Sequence, residues 1–199
     1  MTHALSSPSR TAGSPRERGV VLIVTLILLV VLSLLGTFAI RNATQSERSV
    51  NGIRLAEVAR EAAETALRFC EQVAIFDGDG QDYTPYASTG MRAKIIATTI
   101  GSEFDPKAEW RKSASWTNSN AIKVPPAYFT NGGANSDAQP LRIEPRCVIQ
   151  RIQTNGTPTL TGYLITARGF ANNAEFDGST GKSTLGAEAW LHSVLTSDK

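Results

Sequence analysis

The sequence predicts an α+β protein: a long N-terminal helix, half transmembrane and half amphipathic, packed on a small C-terminal antiparallel β-sheet. Three observations predict it. Val20 to Ile40 is an uninterrupted apolar run, Arg41 to Val73 holds no proline and repeats at helical spacing, and alternating apolar segments cluster after residue 140. A helix followed by a run of strands gives segregated α+β layers rather than alternating units.

Residues 1–19 are polar, rich in Ser and Pro, and end in Arg16-Glu17-Arg18-Gly19. Such a segment has too little apolar surface to fold and is expected to be disordered. Its three arginines against one glutamate account for the whole formal charge of +2, so residue 20 onward is neutral. A neutral body does not displace counterions from a phosphate backbone, and no nucleic-acid partner is expected.

Val20–Ile40 (VVLIVTLILLVVLSLLGTFAI) has neither charge nor proline. About 20 such residues span a bilayer as a helix. Lipid demands that every backbone group be satisfied internally, so the β-branched residues do not prevent a helix. Thr25, Ser33 and Thr37 are expected to bond to carbonyls of their own helix. Arginines just before the span favour a cytoplasmic N-terminus, which puts the body across the membrane in a periplasmic, oxidising compartment.

From Arg41 to Val73 the only glycine is Gly52. Gly52, Ala56, Ala59, Ala63, Ala66, Cys70 and Val73 recur at alternating spacings of four and three, a seam of mostly small residues. Leu55, Ala62 and Phe69 form a second apolar line. Glu64 and Arg68 stand at i, i+4 and are the best-placed pair of several. Residues 41–55 are expected to meet an outside partner, and the later turns to pack on the protein's own head. One helix over 20–73 would be roughly 80 Å long. The expected organisation is 1–19 leader, 20–40 transmembrane half, 41–75 amphipathic half and 76–199 head.

Asp77-Gly78-Asp79-Gly80 opens a loop over 77–90. Met91–Ile100 reads equally as short helix or strand. Residues 101–140 read as irregular, with Trp110, Trp116 and Tyr128 packing, and Pro125-Pro126 and Asn131-Gly132-Gly133 as breakers. Three strands are expected: Leu141–Gln153, then Gly162–Ala171 across a turn at Asn155-Gly156, then Leu185–Leu195. The last alternates Leu185, Ala187, Ala189 and Leu191 on one face. The helix is expected to cover one face of this sheet.

Cys70 and Cys147 are 77 residues apart with no Cys-x-x-Cys motif, which suits one long-range disulfide in an oxidising compartment. The chain-entropy model gives such a loop roughly 4 kcal/mol. The pattern excludes a zinc ribbon, and with only His3 and His192 a His-rich metal site is excluded too. No cofactor or metal is expected.

Three motifs invite chemistry and do not sustain it. Gly178-Ser-Thr-Gly-Lys-Ser183 resembles a phosphate loop, but Phe176 stands where the first glycine belongs and a strand follows rather than a helix. Asp77, Asp79 and Asp82 suggest a weak calcium loop, yet Asp82 and Ser88 occupy the positions an EF-hand gives to Gly and Glu. His192 sits in a strand beside Trp190, and no Gly-x-Ser-x-Gly elbow accompanies it. No convergent acid/base set remains, and no enzyme is expected.

A basic leader ending in Gly, followed at once by a transmembrane helix that continues as an amphipathic one, resembles type IV prepilins with class III signal peptides. RGVVLIVTLILLVVLSLLGTFAIRNATQSERSVNG, then AREAAETAL, is similar to the N-terminal region of PilX-type minor pilins; PRCVIQRI, YLITARG and the last strand resemble that family's C-terminal half. The resemblance implies a type IV pilin-like fold and cleavage between Gly19 and Val20, with N-methylation of the Val20 amine, both by a prepilin peptidase. It also implies other minor pilins, the major pilin and a large tip adhesin as partners, in a filament used for adhesion, twitching or DNA uptake. Most pilins carry Glu at the fifth mature position, which here is Val24. A lipid-buried carboxylate drives a subunit to dock on a neighbour's amine, so its lack suits a subunit at the tip, in a complex that primes assembly. Two alternatives share parts of this layout. The K-type pseudopilin of type II secretion also lacks the Glu, and Thr37-Phe38-Ala39 fits a conventional signal-peptidase site.

Overall fold

The computed structural model describes residues 17–129, 141–153 and 160–197. The leader up to residue 16, the Asn131-Gly132-Gly133 breaker and the Asn155-Gly156 turn lie outside the described residues. The chain falls into two compact units, residues 1–49 and 50–199.

In the first unit the described residues are helical from Glu17 onward, part of helix α1 (Glu17–Gly78). Mean hydropathy reaches 3.0 over an 18-residue window of this helix, and none of that window is buried. Thr25, Ser33 and Thr37 donate to the carbonyls of Leu22, Leu29 and Ser33 at 2.9, 2.8 and 2.8 Å. No side-chain hydroxyl is thus left bare on an apolar surface.

The second unit contains the rest of α1 and all the strands. Strand β1 (Ile96–Ile100), β2 (Ile122–Lys123), the short helix α2 (Pro126–Phe129), β3 (Arg146–Gln153), β4 (Thr161–Phe170), β5 (Glu175–Asp177), β6 (Lys182–Leu185) and β7 (Glu188–Ser197) follow in order. The main sheet runs β1-β3-β4-β7, with β2 also on β3. The β3-β4-β7 core is antiparallel, as the alternation predicts, with eight paired residues between β3 and β4 and ten between β4 and β7. The outermost pairing differs: β1 runs parallel to β3, so the sheet is mixed. β2 occupies the same side of β3 farther along, at Cys147 and Arg146.

Several boundaries move. α1 continues past Val73 to Gly78, and the expected loop contains a 3₁₀ segment over Thr84–Thr89. The ambiguous Met91–Ile100 stretch divides into a 3₁₀ turn (Arg92–Lys94) and strand β1. In β7 the inward face carries Ala189 and Leu191 as foreseen, but Leu185 ends β6 and is exposed. Glu64 pairs one turn upstream with Arg60 at 3.0 Å rather than with Arg68.

Both faces of the sheet are covered, where one was expected. On the first, Ala66, Phe69, Cys70, Val73 and Ala74 of α1 pack on Cys147, Ile149, Ile165 and Ala167. Phe69 also meets Tyr83, Tyr86 and Tyr128 edge-on, at 5.7, 5.5 and 4.9 Å. On the second face, Trp116 is buried, and Trp110 packs against a cluster of Ile100, Ala108, Ile152 and Leu164.

Candidate functional site

The surface that distinguishes this chain is the first part of α1. Val20 and Val24 lie on it with Gly19, in a helix whose large apolar side chains are exposed from Val20 to Ile40. Val24 is 48% exposed. The helix is long and apolar enough here to cross a bilayer, and its three hydroxyls are bonded within the helix, as a lipid environment requires.

The small-residue seam is divided between two environments. Gly52 and Ala56 are exposed, whereas Ala59, Ala63 and Ala66 are fully buried in the protein's own core. The seam as a whole therefore cannot serve an outside partner: its later members are consumed by the sheet. Gly169 of β4 explains how closely they approach. A side chain there would collide with the backbone of Ala59 and Ala63.

Cys70 and Cys147 form a disulfide, with Cα atoms 6.5 Å apart. It joins α1 to β3 under the covered face of the sheet, and no free cysteine remains.

Asp77 closes the end of α1. Its carboxylate accepts from Arg92 Nε at 2.6 Å, Tyr163 Oη at 2.7 Å and Arg151 at 3.4 Å. Burial pushes the carboxyl pKa up, but the hydrogen bonds from Tyr163, Arg92 and Arg151 outweigh it, and the net shift is downward. Tyr163 is pushed up to about 12, by burial first and by the same hydrogen bond second. The calcium reading fails here for a physical reason: both Asp77 oxygens are engaged by cations and a phenol. Among the described residues no group of three or more His, Cys, Asp or Glu side chains could hold a metal.

The second face holds a cluster that the sequence reasoning missed. Arg146 and Arg168 are register partners on β3 and β4, and both are buried. Arg168 pairs with Glu188 at 2.7 Å and donates to the Gly181 carbonyl at 2.9 Å. Its guanidinium lies 4.5 Å from the Trp190 ring. Arg146 lies 4.0 Å from the Phe176 ring and donates to the Trp116 carbonyl at 3.2 Å. Burial, and then repulsion from Arg168, lowers its pKa to about 10. Aromatic faces replace part of the lost hydration of these cations. The available signal was the phase of the strands: both arginines fall on the face opposite Cys147, Ile149 and Ile165.

The remaining motifs take structural positions. The Gly178–Ser183 segment turns between β5 and β6, and Asp177 accepts from the Ser179 and Thr180 hydroxyls at 2.6 and 2.8 Å. Gly181 has φ of 72° and a side chain there would meet the Ser113 carbonyl, so the loop is a tight turn docked on the head. His192 shares a hydrogen bond with Thr166 at 3.0 Å and meets the Trp110 ring at 4.7 Å. Burial lowers its pKa, against a smaller upward pull from Glu103. Among the described residues no carboxylate hydrogen-bonds it, so it lacks the orienting partner of a catalytic histidine.

Residues 18–68 match the family model described as PilX N-terminal. The match covers the apolar run, Gly52 and the first buried turns of the seam. No curated protein and no solved structure matches the chain.

Proposed function

We propose that the chain is a PilX-type type IV pilin, as the family match over residues 18–68 supports, and a non-enzymatic minor pilin of the tip complex that primes pilus assembly. The observation that carries the tip position is Val24. The exposed apolar stretch of α1 offers no carboxylate from Val20 to Ile40. A subunit whose helix carries a carboxylate in lipid gains by docking that group on a neighbour's terminal amine. This helix has no such gain to make and needs no neighbour at that position.

In this reading a prepilin peptidase removes residues 1–19 and methylates the Val20 amine. The apolar helix then holds the subunit in the inner membrane, with its head in the periplasm. Gly52 and Ala56 remain exposed and let a helix of another minor pilin approach closely. A disulfide, the Asp77 cluster and the two-faced sheet hold the head together. The assembled complex seeds the major pilin and carries a large adhesin.

The experiment is the mass of the mature N-terminal peptide from native membranes, with gold labelling of filaments. A peptide beginning at N-methylated Val20 and label confined to filament ends are expected. A peptide beginning at Ile40 would mean a conventional signal peptide and would remove the membrane-anchored subunit. Label along the whole shaft would remove the tip position. A native complex with type II secretion components would move the chain to the pseudopilus.

A further inference from the structure

β1 and β2 lie on the same side of β3 and leave a break between them. β1 pairs with Gln150 and Ile152, and β2 with Cys147 and Arg146; Val148 and Ile149 have no strand partner on that side among the described residues. A cavity of ≈ 400 Å³ lies between the segments that lead into the two strands. Ile95 and Ile96 line it from the β1 side, Ser119 and Asn120 from the β2 side, and Glu109 is also in its wall. Lys94 lines the same cavity and reaches across to the residue before β2, where its ammonium donates to the Ala121 carbonyl at 2.9 Å.

The charges around this cavity do not balance. Lys112 is paired with Glu109, Lys123 with Glu144 and Arg168 with Glu188, at 2.6, 2.8 and 2.7 Å. Lys94 and Arg146 are left with no carboxylate partner among the described residues. The Lys94 ammonium is half-buried and spends one of its three N–H bonds on Ala121. Burial lowers its pKa, and repulsion from Lys123 and Arg146 lowers it further. Arg146 is 3% exposed, and its Nε has no hydrogen-bond partner among the described residues. Cations withdrawn from water without a counter-charge are costly, and an anion beside them offsets that cost.

We propose that this cavity binds a carboxylate carried on a short aliphatic stem, with the carboxylate at Lys94 and the stem against Ile95 and Ile96. Arg146 does not line the cavity but adds to the positive field there. Neutral donors stand in the same wall: the Ser119 hydroxyl, and the Asn120 amide, which spends one N–H on the Ala114 carbonyl at 2.9 Å and keeps a second. Glu109 is engaged by Lys112 and Ser115, at 2.6 and 3.2 Å, yet keeps a negative charge in the wall. It therefore disfavours a phosphate dianion more than a monoanion. The volume lies within the range of small-ligand sites, roughly 300–1,000 Å³. A glutamate side chain of a partner protein and a free short-chain acid both carry this chemistry. The inference concerns the head alone and holds whether or not the subunit sits at a tip.

The test is an NMR titration of the full chain in detergent micelles, at constant ionic strength, following the amide signals of Ile95, Ile96, Ser119 and Asn120. The probes are sodium butyrate, glutamate blocked at both its amine and its α-carboxyl, the uncharged butyramide, and sodium phosphate. Saturable shifts are expected with butyrate and blocked glutamate and none with butyramide, with phosphate at least tenfold weaker. Lys94→Met should weaken butyrate at least tenfold, and Lys182→Met, outside the cavity, should leave it unchanged. Tighter binding of blocked glutamate than of butyrate assigns the carboxylate to a partner's side chain, and the reverse order assigns it to a free acid. No saturable shift with either acid, equal shifts with butyramide, tighter binding of phosphate, or binding that survives Lys94→Met would overturn the proposal. The butyramide comparison uses the unaltered chain and decides the matter even where Lys94→Met fails to fold.

Discussion

Gly169 of β4 lies directly against the backbone of Ala63, so closely that a β-carbon on the glycine would clash with the Ala63 amide nitrogen. Helix and sheet meet there without intervening side chains. The obstructing atoms are main chain, so no rotamer change relieves them. Gly169→Ala should therefore cost about 1–3 kcal/mol, as overpacking a filled core does. For a head of this size that lowers the melting temperature by roughly 2–4 °C per kcal/mol. Thermal melts of the two proteins check it, and equal melting temperatures would refute the close contact.

Much of this fold was legible because its signals are local. The apolar run of α1, its small-residue spacing and the period-two alternation of β3, β4 and β7 each lie within a single segment. What escaped depends on distant partners. IATTI becomes a parallel edge strand only because β3 presents an open side, which nothing within those five residues encodes. Trp116, Arg146, Arg168, Phe176 and Trp190 are spread over some seventy residues and meet only when the second face is covered. The seam was visible as a repeat, but its division between Ala56 and Ala59 follows from where the sheet begins to cover the helix.

The Asp77 cluster predicts a pH dependence with a definite sign. The folded carboxyl lies below its ordinary value of 3.8. Its contribution is fully present above the unfolded value and is lost as pH falls through the folded one. Stability attributable to Asp77 should thus be constant above about pH 5 and decline below pH 4. Asp77→Asn should destabilise the chain at pH 7 and flatten the part of the acid limb that this group produces. Denaturant melts of both proteins from pH 3 to 7 measure it; parallel curves throughout would show that Asp77 contributes nothing in this window.

Among the described residues, Glu188 is the one carboxylate that forms an ion pair with the two buried arginines of the second face. Removing it leaves Arg168 buried without its counter-charge, whereas removing both charges leaves an apolar gap among aromatic rings. Glu188→Gln should cost about 2–4 kcal/mol, below the full loss for a buried pair because Glu188 is itself 28% exposed. The double variant Arg168→Met, Glu188→Leu should be less destabilised than Glu188→Gln alone. A double variant that is the worse of the two in urea melts would mean that the arginine's aromatic and carbonyl contacts outweigh its charge.

The Cys70–Cys147 bond closes a loop of 77 residues between the helix and the sheet. Constraining the unfolded chain over that span is worth roughly 4 kcal/mol in the loop-entropy model. Replacing both cysteines by alanine should lower stability by about that amount, with the helix content of the folded state retained because Ala66, Phe69 and Val73 still pack on the sheet. Circular dichroism with denaturant melts separates the two effects. Unchanged stability would mean that the unfolded chain is already compact across this loop.

Val24→Glu tests the argument for the tip from the other direction. The substitution restores a carboxylate at the fifth residue after Gly19, on a helix surface that is apolar and exposed on every side. In lipid that group is costly unless it finds a cation, and a neighbour's terminal amine is the cation on offer. The variant should still be cleaved after Gly19, because the leader is untouched. It should then acquire the drive to dock beneath other subunits, and gold label should appear along the shaft as well as at filament ends. Label that stays at the ends would show that the head, and not the missing carboxylate, confines the subunit there.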